Sequence, residues 1–480
     1  ERSIMKEAVK ESDTLDLKPL SGIKLMNIKL PATYYYTLFS LIIFVFYLVY
    51  LPQSGYATLY YDAEQYWQFG DAFFKDGEFS FLNYNIPLRG YLFPFLHLLL
   101  SKTADVQPIV LTRIAGAFYA ALLFGVAVPF TWRAVKPHSK QHWVQHVIFT
   151  VLGFVFWRDY FNFSLTDFPA FLMLLLSILL VFRKPGVVAA LVAGMFLSAA
   201  VNFRPIYIVS VPFVVSALFL VKNNTSLIRK FINFSVVVVG FLLISLPQLI
   251  INKHHYDLYS PLVEAKYDEN AKSLYLQQLE WGVVMQKYET NVGTDYPSPR
   301  LIYNDPVGKA ILTQDNIQEV KDYNEYLQLV YKHPVAFAGM YFRHLFNGLD
   351  LQYATPYIRE VMPYNFVLVF LNYTILFFAI LIVFSAKLKK LEVKHWLMLG
   401  ALLLPCLLVV PTAIECRFLI PLHFIVYALV CFNWPEKWRW KTVPTAVKLK
   451  TAALYVLFLI VSVTISAYTQ ANLELLPRLF

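Results

Sequence analysis

Charge is scarce in this chain, and its scarcity sets the class. Only 15% of the 480 residues are charged, against roughly 25% in a soluble globular domain. Cysteine is rarer still. Cys406, Cys416 and Cys431 lie in or beside apolar blocks and offer neither a disulfide framework nor a metal cluster. There is no glycine-rich phosphate loop, no HExxH and no nucleophile elbow, which removes the mechanisms those motifs serve. No soluble basic stretch is interleaved with aromatics, so the net charge of +10 does not point to nucleic acid.

What is abundant is apolar: 58% of residues are hydrophobic and 17% aromatic. They fall in blocks of about 15–22 residues, the length that crosses about 30 Å of hydrocarbon as a helix. In lipid each backbone polar group must be paired within its own segment, so the blocks are expected to be helices. The spacing predicts spans at 33–52, 109–131, 143–157, 168–182, 187–203, 206–221, 231–251, 366–386, 397–414, 418–433 and 451–468. The expected fold is therefore an all-α polytopic membrane protein of about 11 transmembrane helices. The run from Gly90 to Leu100 is too short to span and is broken by Pro94, so it is read as an interfacial helix.

That choice fixes the predicted sidedness. With it, Arg133/Lys136/Lys140, Arg183/Lys184, Lys222/Arg229/Lys230, Lys387/Lys389/Lys390/Lys394 and Lys437/Arg439/Lys441/Lys448/Lys450 share one side with the tail 1–32. The positive-inside rule makes that side cytoplasmic. The domain plan is a tail (1–32), a transmembrane module (33–251) with an outer loop at 53–108, a large extracytoplasmic subdomain (252–365) and C-terminal transmembrane helices (366–480).

Several ionisable residues come out together at the outer edge. Asp62 opens an amphipathic stretch in which Tyr66, Phe69, Ala72 and Phe73 share a helical face, and Glu64 follows two residues later. Asp167 stands just before Phe168-Pro169 at the head of a span. Both aspartates also suit helix N-termini, and capping is the plainer reading of each. Arg158 and Asp159 close the preceding span and can pair with each other. Arg204, in a tight outer turn, is either a snorkelling anchor or a phosphate ligand. Glu415 and Arg417 sit in a similar turn, where mutual pairing is the simpler expectation. Carboxylates and cations at one membrane depth suit acid/base chemistry on a substrate that is itself partly in lipid.

In its order of features the chain resembles the GT-C superfamily of membrane glycosyltransferases, including the protein O-mannosyltransferase and lipid A aminoarabinose transferase group. The resemblance rests on Asp62-Ala63-Glu64-Gln65-Tyr66 with Ala72 and Gly77, on Pro87-Leu88-Arg89-Gly90-Tyr91-Leu92-Phe93-Pro94, on Arg113-Ile114, on Asp167 and on Arg417-Phe418-Leu419-Ile420-Pro421. Lys332-His333-Pro334 followed by Tyr341-Phe342-Arg343-His344 is loosely similar to a pre-membrane helix of bacterial members. One departure is that Ala63 stands where an acidic residue often follows the first Asp, which makes Glu64 a rival to Asp62.

The resemblance implies transfer, with inversion, of a sugar from a polyprenyl-phosphate donor of the undecaprenyl type to a hydroxyl of a surface glycan or glycolipid. Asp62 would be the base. Arg204, Arg417 and Arg89 would bind the donor phosphate. Asp167 would orient the acceptor, hold a basic side chain or share a divalent cation (Mg or Mn) with Asp62. No cofactor is otherwise implied, and Glu415, Arg158, Asp159, Arg343 and His344 are supporting candidates. Lys- and Asn-rich loops lean towards a bacterial inner membrane and cell-envelope polysaccharide. Other readings stay open: a protein O-glycosyltransferase, a glycan polymerase or ligase that would use outer-loop arginines such as Arg300 or Arg343, and a transporter or lipid flippase.

Overall fold

The structure is a computed structural model that describes residues 32–103, 105–137, 141–183, 186–221, 226–268, 271–362, 365–386, 391–433 and 443–474. The expected tail 1–32, apart from Ala32, lies outside the described residues, as do Lys140, Lys184, Lys222, Lys387, Lys389, Lys390, Lys437, Arg439 and Lys441.

In chain order the helices are α1 (Ala32–Gln53), α2 (Tyr61–Asp71), α3 (Leu92–Thr103), α4 (Pro108–Val135), α5 (Trp143–Trp157), α6 (Asp167–Phe182), α7 (Val187–Phe203), α8 (Val211–Leu220) and α9 (Leu227–Tyr256). They continue with α10 (Leu274–Val284), α11 (Pro306–Gln314), α12 (Tyr323–Lys332), α13 (Pro334–Leu349), α14 (Phe366–Ser385), α15 (Val393–Val409), α16 (Ile420–Phe432) and α17 (Thr445–Ala471). Among the described residues five helices, α1, α4, α9, α14 and α17, are long and apolar enough to cross a membrane. The shorter apolar helices α5, α6, α7, α8, α15 and α16 fall on the remaining expected blocks. Most of α6 is buried, as expected for a helix that is apolar on every face. The short run between Gly90 and Leu100 forms α3, which lies along α2.

Two sequence details shape the long helices. In α4, Pro129 has no N–H to give the preceding turn, and the helix widens into a π-turn at Leu123–Ala127. Gly125, inside that turn, lies directly against Ser40 of α1. In the crossing of α7 and α9, Gly194 meets the backbone of Val237 and Gly240 meets the backbone of Leu191. Small residues let two apolar helices approach closely where lipid supplies no hydrophobic drive between them.

The helix ends sort into two groups. At one end Tyr36 bonds Gln141 at 3.1 Å and Lys136 bonds Asn433. At the other end the loops after α1, α5, α7, α9 and α15 meet the 252–365 lobe and the end of α17. Tyr56 bonds the Tyr357 carbonyl at 2.7 Å, the Asp159 N–H bonds Ala354 at 3.1 Å, and the Ala413 N–H bonds Gln278 at 3.0 Å.

The expectation of an all-helical chain is corrected here. A short hairpin joins β1 (Phe74–Lys75) to β2 (Glu78–Phe79). In the lobe, β3 (Met285–Asn291), β4 (Arg300–Asn304), β5 (Tyr357–Ile358) and β6 (Leu473–Glu474) form a sheet of order β5-β3-β4-β6. β3 and β4 are antiparallel, β5 runs parallel to β3, and β6 brings the segment after α17 onto β4. Its strands hide from a hydropathy reading because β3, Met-Gln-Lys-Tyr-Glu-Thr-Asn, is polar yet buried at most positions. Within 306–332 the lobe forms α11, a loop and then α12.

The glycine contact yields a test. Gly240→Leu must force α7 and α9 apart, and overpacking of this kind costs about 1–3 kcal/mol. The purified variant should melt lower than wild type in the same detergent, while Val238→Leu, on an exposed position of the same helix, should not.

Candidate functional site

The site is built at the lobe-facing end of the bundle, and its keystone is Asp167. The capping reading of this residue does not hold. It is the first residue of α6, the N-cap position is Thr166, and no side chain caps the helix. The carboxylate is only 3% exposed. It forms an ion pair with Arg204, which follows α7 directly, and faces Arg417 at 3.6 Å. Arg417 in turn makes a two-pronged pair with Glu415, both contacts 2.8 Å. The mutual pairing expected of Glu415 and Arg417 is thus present, and it is one half of a larger cluster. Tyr288 of β3 lies beside Glu415. Burial, and then the Glu415 charge, push that phenol well above its usual range, so it stays a neutral donor.

Asp62 stands beside this cluster on α2. Here too no side chain caps the helix, and the carboxylate pairs with Arg89 at 3.3 Å. Burial would push the carboxyl up, but Arg89, Arg417 and Arg300 together outweigh it and hold Asp62 below the ordinary carboxylate range. Tyr61, just before it, has φ of +43°, a left-handed conformation that is an outlier for an aromatic residue. Its ring lies 6.1 Å from Tyr357, and its hydroxyl reaches the Asn291 carbonyl at 3.5 Å.

Arg89 is placed by a relay of buried amides that the sequence reading did not single out. Asn202 of α7 accepts from the Leu92 N–H at 3.1 Å. Gln248 of α9 accepts from the Tyr91 N–H and from the Asn202 amide, both 3.1 Å. Gln248 then donates to Asn252 at 2.8 Å. Gly90 lies so close to Asn202 that no side chain fits there. The signal was available, since Gln248 and Asn252 are polar residues four apart in an apolar span.

The other sequence candidates lie elsewhere. Glu64, two residues from Asp62, is on the opposite face of α2, exposed, and lines a separate groove of about 510 Å³ with Trp67, Gln68, Asp71 and Gln107. Arg158 and Asp159 pair at 3.7 Å, and Asp159 accepts from Tyr50 at 2.8 Å, so they tie α5 to α1. Arg343 is held by Asp305 at 2.6 Å, and His344 bonds the Val410 carbonyl at 2.8 Å, both inside the lobe and its seat. Arg113 bonds the Tyr56 carbonyl at 2.5 Å and Asn162 at 3.2 Å, fixing the loop that leads to Asp62.

Asp62 pairs with Arg89, and Asp167 pairs with Arg204 and faces Arg417. Each carboxylate faces a guanidinium, which would repel a divalent ion and would have to be displaced. Among the described residues no three His, Cys, Asp or Glu converge in the manner of a metal cage.

Comparison with protein-family models, with curated proteins and with solved structures returned no match for this chain.

Asp167→Asn would leave Arg204 partly buried without its carboxylate. Breaking one side of a buried pair costs about 3–5 kcal/mol. The variant is expected to melt far below wild type. An unchanged melting temperature would show that the Asp167 cluster is not a structural keystone.

Proposed function

We propose that this protein is an inverting membrane glycosyltransferase that moves a sugar from a polyprenyl-phosphate donor to a hydroxyl of a glycan or glycolipid. The observation that carries the reading is the pairing of Asp62 with Arg89 beside the buried Asp167–Arg204–Arg417–Glu415 cluster. A carboxylate able to take a proton and cations able to take a leaving phosphate lie at the end of an apolar helix bundle, where a lipid-borne substrate would present its headgroup. In the same reading the bundle crosses the membrane about eleven times, with the site and lobe outside the cell membrane and the basic loops inside.

In the proposed reaction the acceptor O–H gives its proton to Asp62 as its oxygen bonds the sugar carbon. The bond from that carbon to the phosphate oxygen breaks, and the polyprenyl phosphate leaves with the electron pair. Arg204, Arg417 and Arg89 meet the growing charge on that oxygen. Arg89 is paired with Asp62 at rest, so a donor phosphate that draws Arg89 away also frees the base.

A protein hydroxyl would serve the same chemistry as acceptor. The position of Arg300 near Asp62 favours keeping one second reading, transfer of a preformed glycan block, which the size of a labelled product separates from single-sugar addition. The charges sit at the bundle end and not at mid-depth, which speaks against a transporter.

Two outcomes test the assignment. Asp62→Asn should bind polyprenyl phosphate as wild type does yet lose at least about a thousandfold in turnover, the scale of a general base. An active Asp62→Asn together with an inactive Glu64→Gln would hand the role to Glu64. The pH profile gives a second check. A carboxyl held below its usual range stays ionised throughout that range, so wild-type kcat/KM should decline only below it. Arg89→Gln removes a lowering influence and leaves the burial, so the acidic limb of kcat/KM, which reports the free enzyme, should move to higher pH. A limb that does not move would mean that Asp62 is not the group being titrated.

A further inference from the structure

We propose that Arg300, stacked on Trp281, is an anion clamp on the acceptor side of the Asp62 site, and that the acceptor carries a phosphate or carboxylate next to the hydroxyl that attacks. This inference rests on the glycosyltransferase reading and adds to it the chemical class of the acceptor.

Arg89, Arg204 and Arg417 are each matched by a carboxylate: Asp62, Asp167 and Glu415. Lys287 on β3, only 1% exposed, is likewise matched by Glu289 at 2.8 Å. The resting site is thus electrically closed. Arg300 is different. Among the described residues it makes no ion pair, it is exposed, and its guanidinium lies 5.2 Å from the centre of the Trp281 ring.

Its position is set by the sheet. Arg300 opens β4 opposite Thr290 of β3. The next β3 residue, Asn291, receives the Tyr61 hydroxyl, and Tyr61 immediately precedes Asp62. The Asn291 N–H is held by Pro299 at 2.8 Å, which fixes the approach to Arg300. The guanidinium is close enough to Asp62 for its charge to act on that carboxylate. The lobe therefore delivers one uncompensated cation and one aromatic face to the same rim that carries Asp62.

A planar guanidinium with free N–H groups suits a two-pronged bond to phosphate or carboxylate. A half-exposed indole suits the apolar face of a sugar ring. A neutral acceptor would leave the charge of Arg300 unanswered, and the donor phosphate already has three arginines nearer the bundle. The occupant with the best match is an anionic glycan arriving from the lobe side.

The test uses the full-length protein in lipid nanodiscs and four probes: an oligomer of glycerol phosphate, an oligogalacturonate, neutral maltoheptaose and polyprenyl phosphate. Wild type should bind at least one of the two anionic oligomers more tightly than maltoheptaose, with affinity falling as salt rises. Arg300→Ala should weaken that binding about tenfold or more, Arg300→Lys should restore part of it, and Trp281→Ala should weaken it without changing the salt slope. Which oligomer binds tells phosphate from carboxylate. Equal binding of anionic oligomers by wild type and Arg300→Ala, equal binding of maltoheptaose, or no binding of either anionic oligomer would overturn the clamp. Polyprenyl phosphate tells failure of the clamp from failure of the donor site. Its binding by both proteins leaves the donor reading standing whatever becomes of Arg300, whereas its failure to bind either protein removes the donor reading itself.

Discussion

The structure depends on the Asp167 carboxylate, held between two guanidinium groups in a place with almost no water. A carboxylate moved into such surroundings loses solvation worth many kcal/mol, and only close cations can offset that loss. The chain supplies them from two distant turns. Arg204 follows α7, and Arg417 precedes α16, so one carboxylate at the head of α6 pins three helices at a common depth. Glu415 then neutralises the remaining side of Arg417, and Tyr288 carries the cluster into the lobe sheet. The backbone follows the same path, for the Tyr288 N–H bonds the carbonyl of Ile414, one residue before Glu415. The lobe is therefore tied to the bundle through the very residues that hold the charges.

A second constraint acts on Arg89. Its loop is irregular backbone packed against apolar helices, so its N–H groups need partners. Asn202 and Gln248 provide them, and Asn252 in turn accepts from the Gln248 amide. These amides cost little individually because each is satisfied, and together they leave the 89–92 segment one position to occupy. The consequence for chemistry is direct: the guanidinium reaches Asp62 because Gly90 can lie flat on Asn202.

Much of this was legible from sequence at the level of elements and little at the level of partners. Apolar block length located the helices, since hydropathy and length respond to the same physical requirement in lipid. The sheet was not legible. Its strand β3 alternates Lys287 and Glu289 with Tyr288 and Thr290 and buries an ion pair, while its neighbour β4 is completed by Leu473, 170 residues beyond the Tyr303 it pairs with. The two aspartates show the same limit. Spacing alone made both look like caps. What overrode that was long-range charge, since Asp167 meets residues 37 and 250 positions later, and no local pattern encodes such distances. Asp62 and Glu64 were rivals in sequence, yet two residues on a helix point to nearly opposite sides, so the fold separates them at once.

The closed charge balance bears on how the proposed reaction would start. Every cation near Asp62 and Asp167 except Arg300 already has a carboxylate, so an incoming phosphate gains little from simple addition and must exchange for an existing partner. Of the available exchanges the cheapest is at Arg89. Its pair with Asp62 is longer than the pair of Arg417 with Glu415 and more open to solvent than that of Arg204 with Asp167. Asp62 in its resting pair is a poor base, because the arginines that stabilise its charge also lower its affinity for a proton. Drawing Arg89 onto the donor raises that affinity at the moment the leaving group is in place. Donor binding and base activation then become one event, and an acceptor hydroxyl that arrives first finds no group able to take its proton.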